Sequence, residues 1–212
     1  MQMLAILFGV LGVFFLLKGR LAPSKQHKNQ RGIDHRHVTA AQQQAGEQGE
    51  PNVRLRLQAL DREAYTVFND IHLSFDRIEH QLDHLVVGPC GVVHIESKNY
   101  GGQISFTMNG LEQIGSNGEF VIHSDPAAQL SNQEGLVREI VKTMDCAIPI
   151  YGVLCISNDR TIIEGIPEDF HVCKDAVIVP YIQKLPIVLD EPTHQQLVRT
   201  LRHYEGKEEA TA

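Results

Sequence analysis

The sequence predicts an α/β fold, a sheet with helices packed on it, running from about residue 46 to 204 and preceded by an amino-terminal transmembrane helix. Three observations predict it. Apolar runs of strand type alternate with stretches whose apolar residues recur at helical spacing. Turn formers separate those runs, at Gly88-Pro89-Cys90-Gly91, Asn109-Gly110 and Asn117-Gly118. The first 17 residues are almost wholly apolar, broken only by Gln2, Gly9 and Gly12.

Residues 1–17, as a helix, would extend about 25 Å, near the lower limit for crossing a bilayer. A cleavable signal peptide carries its positive charge before the apolar run. Here the charge follows it: residues 18–38 hold six of the 19 Lys and Arg (Lys18, Arg20, Lys25, Lys28, Arg31, Arg36) against one acid, Asp34. That asymmetry predicts an uncleaved single-pass anchor in the membrane, its amino end outside and the main domain cytoplasmic. Residues 18–45 form a basic, polar linker without apolar period, a tether able to lie against anionic headgroups.

In the body, Val53, Leu57, Leu60 and Ala64 share one helical face, and Pro51 suits a first turn. Strands are expected at Thr66–Leu73, Ile78–Val87 and Val92–Lys98, then a minor pair at Gln103–Thr107 and Phe120–His123. Asp125-Pro126 opens the clearest helix, with an aspartate cap, proline at the first position, and Leu130, Val137, Ile140, Val141 and Met144 as its stripe. Tyr151–Ser157 reads as a buried strand and Ala176–Val179 as a short one. A last helix near 192–204 buries Leu197, Val198, Leu201 and Tyr204, and residues 205–212 read as a disordered tail.

Composition narrows the function. With 42% hydrophobic and 21% charged residues the chain is an ordinary globular mixture rather than a disordered one. Residues 39–212 carry 13 basic and 25 acidic side chains, 13 − 25 = −12, so a polyanion is met through local charge or metal, not bulk attraction. Four scattered cysteines (Cys90, Cys146, Cys155, Cys173) without a C-x-x-C pair argue against a zinc ribbon and for reduced, mostly buried thiols. Of the 11 histidines none forms H-E-x-x-H, and His35-Arg36-His37 reads as solvated.

The chemistry concentrates between Glu79 and Gly102. Glu96 and Lys98 project from one face of a strand, one pleat apart, while Val93 and Ile95 face the other way. An ionised pair at the end of an apolar strand is costly unless solvated, paired or metal-bound. Asp83, across the short turn, can reach the same place. Two carboxylates can hold a hard cation such as Mg²⁺, and a lysine can orient water or steady charge on a phosphate. A structural ion pair at the strand end is the plain alternative.

The run Gln81-Leu82-Asp83-His84-Leu85-Val86-Val87-Gly88-Pro89, then Gly91-Val92, Ile95-Glu96-Ser97-Lys98-Asn99-Tyr100 and Gly102, resembles the nuclease-related domain (NERD) family. That family is placed in the PD-(D/E)xK restriction-endonuclease-like superfamily. The resemblance covers roughly 46–160 and implies a central mixed sheet flanked by helices, with metal-dependent hydrolysis of DNA phosphodiesters. It implies Asp83 and Glu96 as ligands of Mg²⁺ or Mn²⁺ and Lys98 as the catalytic lysine, with Glu50 and Gln129 as accessory positions. His94 shares the face of Glu96 and either lines the site or packs in the core. Pro51 is expected to push Glu50 out of helical dihedrals to a cap position, leaving Glu47 as a substitute. His80 and His84 are expected at the surface or sheet edge, and Arg138 and Lys142, one turn apart, on a solvated face or against phosphate.

The expected function is a membrane-anchored, metal-dependent nuclease whose partner is DNA, or RNA. The alternatives are a non-catalytic module binding nucleic acid or protein at the membrane, and a tethered scaffold docking a partner on the helix near 192–204.

Overall fold

A computed structural model describes residues 49–108 and 110–206 of the chain. The expected anchor and linker, Glu47 and residues 207–212 lie outside the described residues. Among the described residues no helix is long and apolar enough to cross a membrane.

Helix α1, described over 49–57, is followed by β1 (Thr66–Phe75), β2 (Ile78–Gly88), β3 (Gly91–Lys98), β4 (Gln103–Thr107), β5 (Gly110–Ile114) and β6 (Phe120–His123). Helix α2 (Pro126–Lys142) leads to β7 (Ile150–Ile156), β8 (Ile162–Glu164), β9 (His171–Lys174), α3 (Asp175–Lys184) and α4 (Glu191–His203). The strands make two sheets. The larger is mixed, in the order β1-β2-β3-β7-β9, antiparallel up to β3 and parallel from β3 to β9. The smaller runs β6-β5-β4-β8.

Local chemistry sets the hairpins. Asp76 and Arg77 both take positive φ (48° and 68°), the geometry of a two-residue turn that matches strand twist, and so bring Phe75 opposite Ile78. Between β2 and β3, Gly91 stands at φ 110° with Pro149 O only 2.4 Å from where a Cβ would lie, so glycine alone fits. Asp125 caps α2 by accepting the Ala127 N–H at 2.9 Å, with Pro126 in the first turn as expected.

Helices cover both faces of the large sheet. On one, α2 and α4 bury Leu136, Val137, Ile140, Leu197 and Leu201 against Leu85, Val87 and Val92. On the other, Val53 and Leu57 of α1 and Ile178 and Ile182 of α3 pack on Val86, Val93, Ile95 and Val153. A third cluster joins Ile104 and Leu111 of the small sheet to Leu130, Tyr100, Leu154 and Ile156. The apolar stripe of α4 is thus taken up by the core, leaving a polar outer face on that helix.

Several expectations need correction. The pair 103–107 and 120–123 is not a hairpin, because β5 lies between them and pairs with both; the two turn signals close two hairpins rather than one. Residues 176–179 are helical: Ile178 and Ile182, four apart, face the core, and that burial outweighs the strand preference of a β-branched run. The fifth strand of the sheet is His171–Lys174, just before. Glu205 bridges Leu73, and Gly206 donates its N–H to His72 O at 2.7 Å, so the first two residues of the expected tail are bonded to β1. Of the four free cysteines three are buried, and Cys146 is exposed.

Candidate active site

Strands β2 and β3 pair from Gly88–Gly91 out to His84–Ile95. The next positions outward are Asp83 and Glu96, where the ladder ends. There the Ser97 N–H donates not to a backbone carbonyl of β2 but to Asp83 Oδ2, at 2.7 Å. This bond turns the Asp83 carboxylate toward the last residues of β3. Glu96 lies on the α2 side of the sheet and is 1% exposed, with both oxygens in use. Its Oε1 accepts from Lys98 Nζ at 2.5 Å and from Gln129 Nε2 at 2.7 Å; its Oε2 accepts from Gln133 Nε2 at 3.4 Å. Lys98 keeps 15% of its side chain exposed, and Asp83 is half-buried, so solvent reaches the group from their side.

The structure therefore brings together Asp83, Glu96, Lys98 and Gln129. Glu50 also belongs with them. Its carboxyl is held above the usual range by burial, by Asp70 and by Glu96, with Lys98 and Arg54 opposing. The expectation that Pro51 expels Glu50 from the helix is corrected: residues 49 and 50 are helical. Proline biases its predecessor away from helix, but α1 is pinned by fully buried Val53 and Leu57. Its amino end also lies close against β3, since a Cβ on Gly49 would stand 3.2 Å from the Lys98 carbonyl carbon.

His94 does not line the opening. It is completely buried on the α2 side, and burial lowers its pKa to about 4 against the opposing contact with Gln133. The edge placement of His84 is likewise corrected: it is buried under α1, its Nδ1 lies 2.8 Å from Asn69 Oδ1, and burial with nearby Arg54 lowers its pKa to about 4. His80 is half-buried. Arg138 pairs with Glu134 and Lys142 with Glu139, so both are helix-surface ion pairs.

Two contributors escape a reading of the sequence. Gln133, buried, ties Gln81 O (2.8 Å) to Glu96; its signal is the four-residue spacing from Gln129, which puts both amides on one helix face. Asp70 takes φ 58° within β1 and bears on Glu50, and nothing in the local sequence marks that backbone conformation.

The charges do not balance. Glu50, Asp83 and Glu96 face the Lys98 ammonium and, at Glu50, the Arg54 charge, and Asp83 shows the deficit: burial, then the neighbouring Glu96, push its pKa up to about 7 against the opposing Ser97 N–H and Lys98. Among the described residues no group of three or more His, Cys, Asp and Glu is arranged to hold a metal. The donor set nonetheless fits one hard cation: the oxygens are carboxylate, Asp83 Oδ1 takes no hydrogen bond among the described residues, and the surplus charge is negative.

A model of the nuclease-related domain matches residues 45–157, just over half of the 212-residue chain. The chain belongs to the nuclease-related domain family, and the PD-(D/E)xK placement of that family is consistent with the match. Comparison with curated proteins and with solved structures yields no match. The matched segment ends just after β7, so it contains every residue of the carboxylate–lysine cluster.

Proposed function

We propose that this domain hydrolyses phosphodiester bonds of DNA with Mg²⁺ or Mn²⁺. The observation that supports it most is the uncompensated cluster: Asp83 and Glu96 at the open end of a strand pair, with Lys98 donating to Glu96. Asp83 and Glu96 would hold the cation, which when bound neutralises a scissile phosphate and lowers the pKa of water.

The chain's own groups do the rest. Lys98 Nζ, which donates to Glu96, has further N–H donors for an oxygen beside that carboxylate, an attacking water or a non-bridging phosphate oxygen. Gln129, donating to the same Glu96 oxygen, fixes the carboxylate so that Lys98 is aimed rather than free. Gln133 holds the other oxygen and ties it to β2 through Gln81. Glu50 adds negative charge that favours binding of a cation. RNA offers the same phosphodiester and is the alternative substrate. In the same reading residues 1–17 anchor the domain in a membrane with the active site in the cytoplasm, which protease protection of sealed vesicles tests.

A second reading has its own support: Glu96 is 1% exposed and its oxygens are already bonded, which suits a non-catalytic binding module tethered at the membrane. Calorimetric titration of the full chain with Mn²⁺ separates the two. Hydrolysis predicts one site that disappears in Glu96→Gln. No heat in the parent favours the binding module.

A further inference from the structure

Arg54, Gln58, Arg62, Tyr65, Thr66 and Asn69 line a cleft of about 410 Å³ between α1, the turn that follows it and edge strand β1. In a body that stands at −12, this cleft has two guanidinium groups and no carboxylate in its lining. Three acids adjoin it in sequence: Glu63 is exposed, Asp61 bears on Tyr65 of the lining, and Asp70 bears on Glu50. Asp61 Oδ1 accepts the Glu63 N–H at 3.0 Å, and Asp70 Oδ1 accepts Gln81 Nε2 at 2.5 Å. Both arginines are exposed and make no ion pair among the described residues. Among the other cations Arg56, Arg138 and Lys142 each pair with a carboxylate and Lys174 donates to two backbone carbonyls, while Arg77, Arg160, Lys184 and Arg199 also make no ion pair among the described residues but stand outside the lining of this cleft.

The cleft adjoins the catalytic cluster in two ways. Arg54 lies one helical turn beyond Glu50, and its charge bears on both Glu50 and His84. Asn69 contacts His84, the residue next to Asp83, at 2.8 Å. Planar arginine forks, exposed and in no ion pair among the described residues, match phosphate oxygens, and the neutral amides and hydroxyls beside them supply further hydrogen bonds.

We infer that this cleft binds the sugar–phosphate backbone of the nucleic acid on one side of the scissile bond, with Arg54 and Arg62 each neutralising a phosphate. The position of the scissile bond rests on the proposed hydrolysis; the binding does not. Each phosphate neutralised releases condensed counterions, so the cleft has a salt signature of its own.

The test uses the full chain carrying Asp83→Asn, so that nothing is cut, and a fluorescein-labelled single-stranded oligodeoxynucleotide read by anisotropy across a salt series. An oligoribonucleotide of the same sequence shows which sugar is preferred. Adding Arg54→Gln with Arg62→Gln is expected to weaken binding at least ~10-fold and to lower the slope of log K against log salt by about 1.4, two phosphates at about 0.7 each on a single strand. Arg54→Lys with Arg62→Lys should restore the slope. Arg199→Gln with Arg202→Gln, on α4 across the sheet, should leave it unchanged. A parental slope in the Arg54/Arg62 pair, an equal loss in the α4 pair, or no binding by the parent overturns the inference. If the arginine pair governs binding while the chain with Asp83 intact never cuts, the cleft stands and hydrolysis falls. If the chain with Asp83 intact cuts and the arginine pair alters neither binding nor cutting, hydrolysis stands and the cleft falls.

Discussion

The Ser97 N–H donates to Asp83 Oδ2 at 2.7 Å, at the point where β2 leaves β3. A backbone donor from the strand that carries Glu96 and Lys98 thus orients the carboxylate that faces them. The site is assembled by a sheet that stops pairing one residue early. An asparagine at position 83 can accept the same bond through its amide oxygen but carries no charge. Asp83→Asn is therefore expected to keep the fold and to lose cation binding and roughly 10²-fold or more in cleavage rate. Calorimetry with Mn²⁺ and a gel assay on labelled DNA measure the two.

Gln129 and Gln133 both donate to Glu96 but from different depths, since Gln129 is exposed and Gln133 buried. Gln129→Ala removes one donor from a Glu96 oxygen that keeps Lys98, in a place water can refill, and is expected to cost about 0.5–1 kcal/mol. Gln133→Ala leaves Gln81 O without this donor and is expected to cost about 1–3 kcal/mol. Urea unfolding of the two variants tests the contrast; equal losses would contradict it.

Protonation gives the folded domain a pH dependence with a definite sign. His84, His94 and His123 have pKa values lowered to about 4, chiefly by burial, so each contributes stability present above its unfolded value near 6.5 and lost as pH falls toward 4. Asp83 acts the opposite way. Its pKa rises from 3.8 to about 7, so its contribution is present below pH 3.8 and is lost as pH rises through 7. Between these limits the unfolded chain gains about three protons on the histidines while the folded chain holds about one more on Asp83. Stability is then expected to increase with pH from about 4 to 6.5, and more steeply in Asp83→Asn. Urea midpoints across that range provide the check, and a parent curve that falls with pH contradicts the assignment.

Gly102 stands at φ 74°, and a Cβ there would lie 2.1 Å from Ile114 O on β5, a backbone atom that cannot yield without moving the strand. Gly102→Ala is expected to destabilise by more than ~1 kcal/mol, because an L side chain in the left-handed region costs about 1–2 kcal/mol before the clash with Ile114 O is added. Because Gly102 follows the Lys98 strand directly, part of the loss should appear as reduced cleavage even where the variant remains folded. Thermal melting and the gel assay read the two effects.

Much of this architecture is legible in the sequence where one physical signal dominates. The alternation of β2 and β3, the glycines of their turn, and the Asp125-Pro126 start of α2 each state their structure locally. The pairing of Asp83 with Glu96 follows from that turn, since its length fixes the register. What stays hidden depends on contacts distant in the chain. Residues 176–179 look like a strand until Ile178 and Ile182 are seen to share one core face. Glu50 looks displaced by Pro51 until α1 is packed on β3. His84 and His94 look like surface or site residues until helices cover both faces of the sheet. Gln133 carries no motif; only the position of α2 over Glu96 reveals it.

The most direct measurement is the rate at which the full chain cuts labelled DNA in Mg²⁺ or Mn²⁺, set beside Lys98→Met. Methionine keeps the aliphatic length and removes the ammonium that donates to Glu96. Hydrolysis at this site predicts cation-dependent cutting by the parent, abolished by chelation, and a fall of about 10²-fold or more in Lys98→Met with DNA binding retained. Equal product from the parent and Lys98→Met, or none from the parent with either cation, would contradict it.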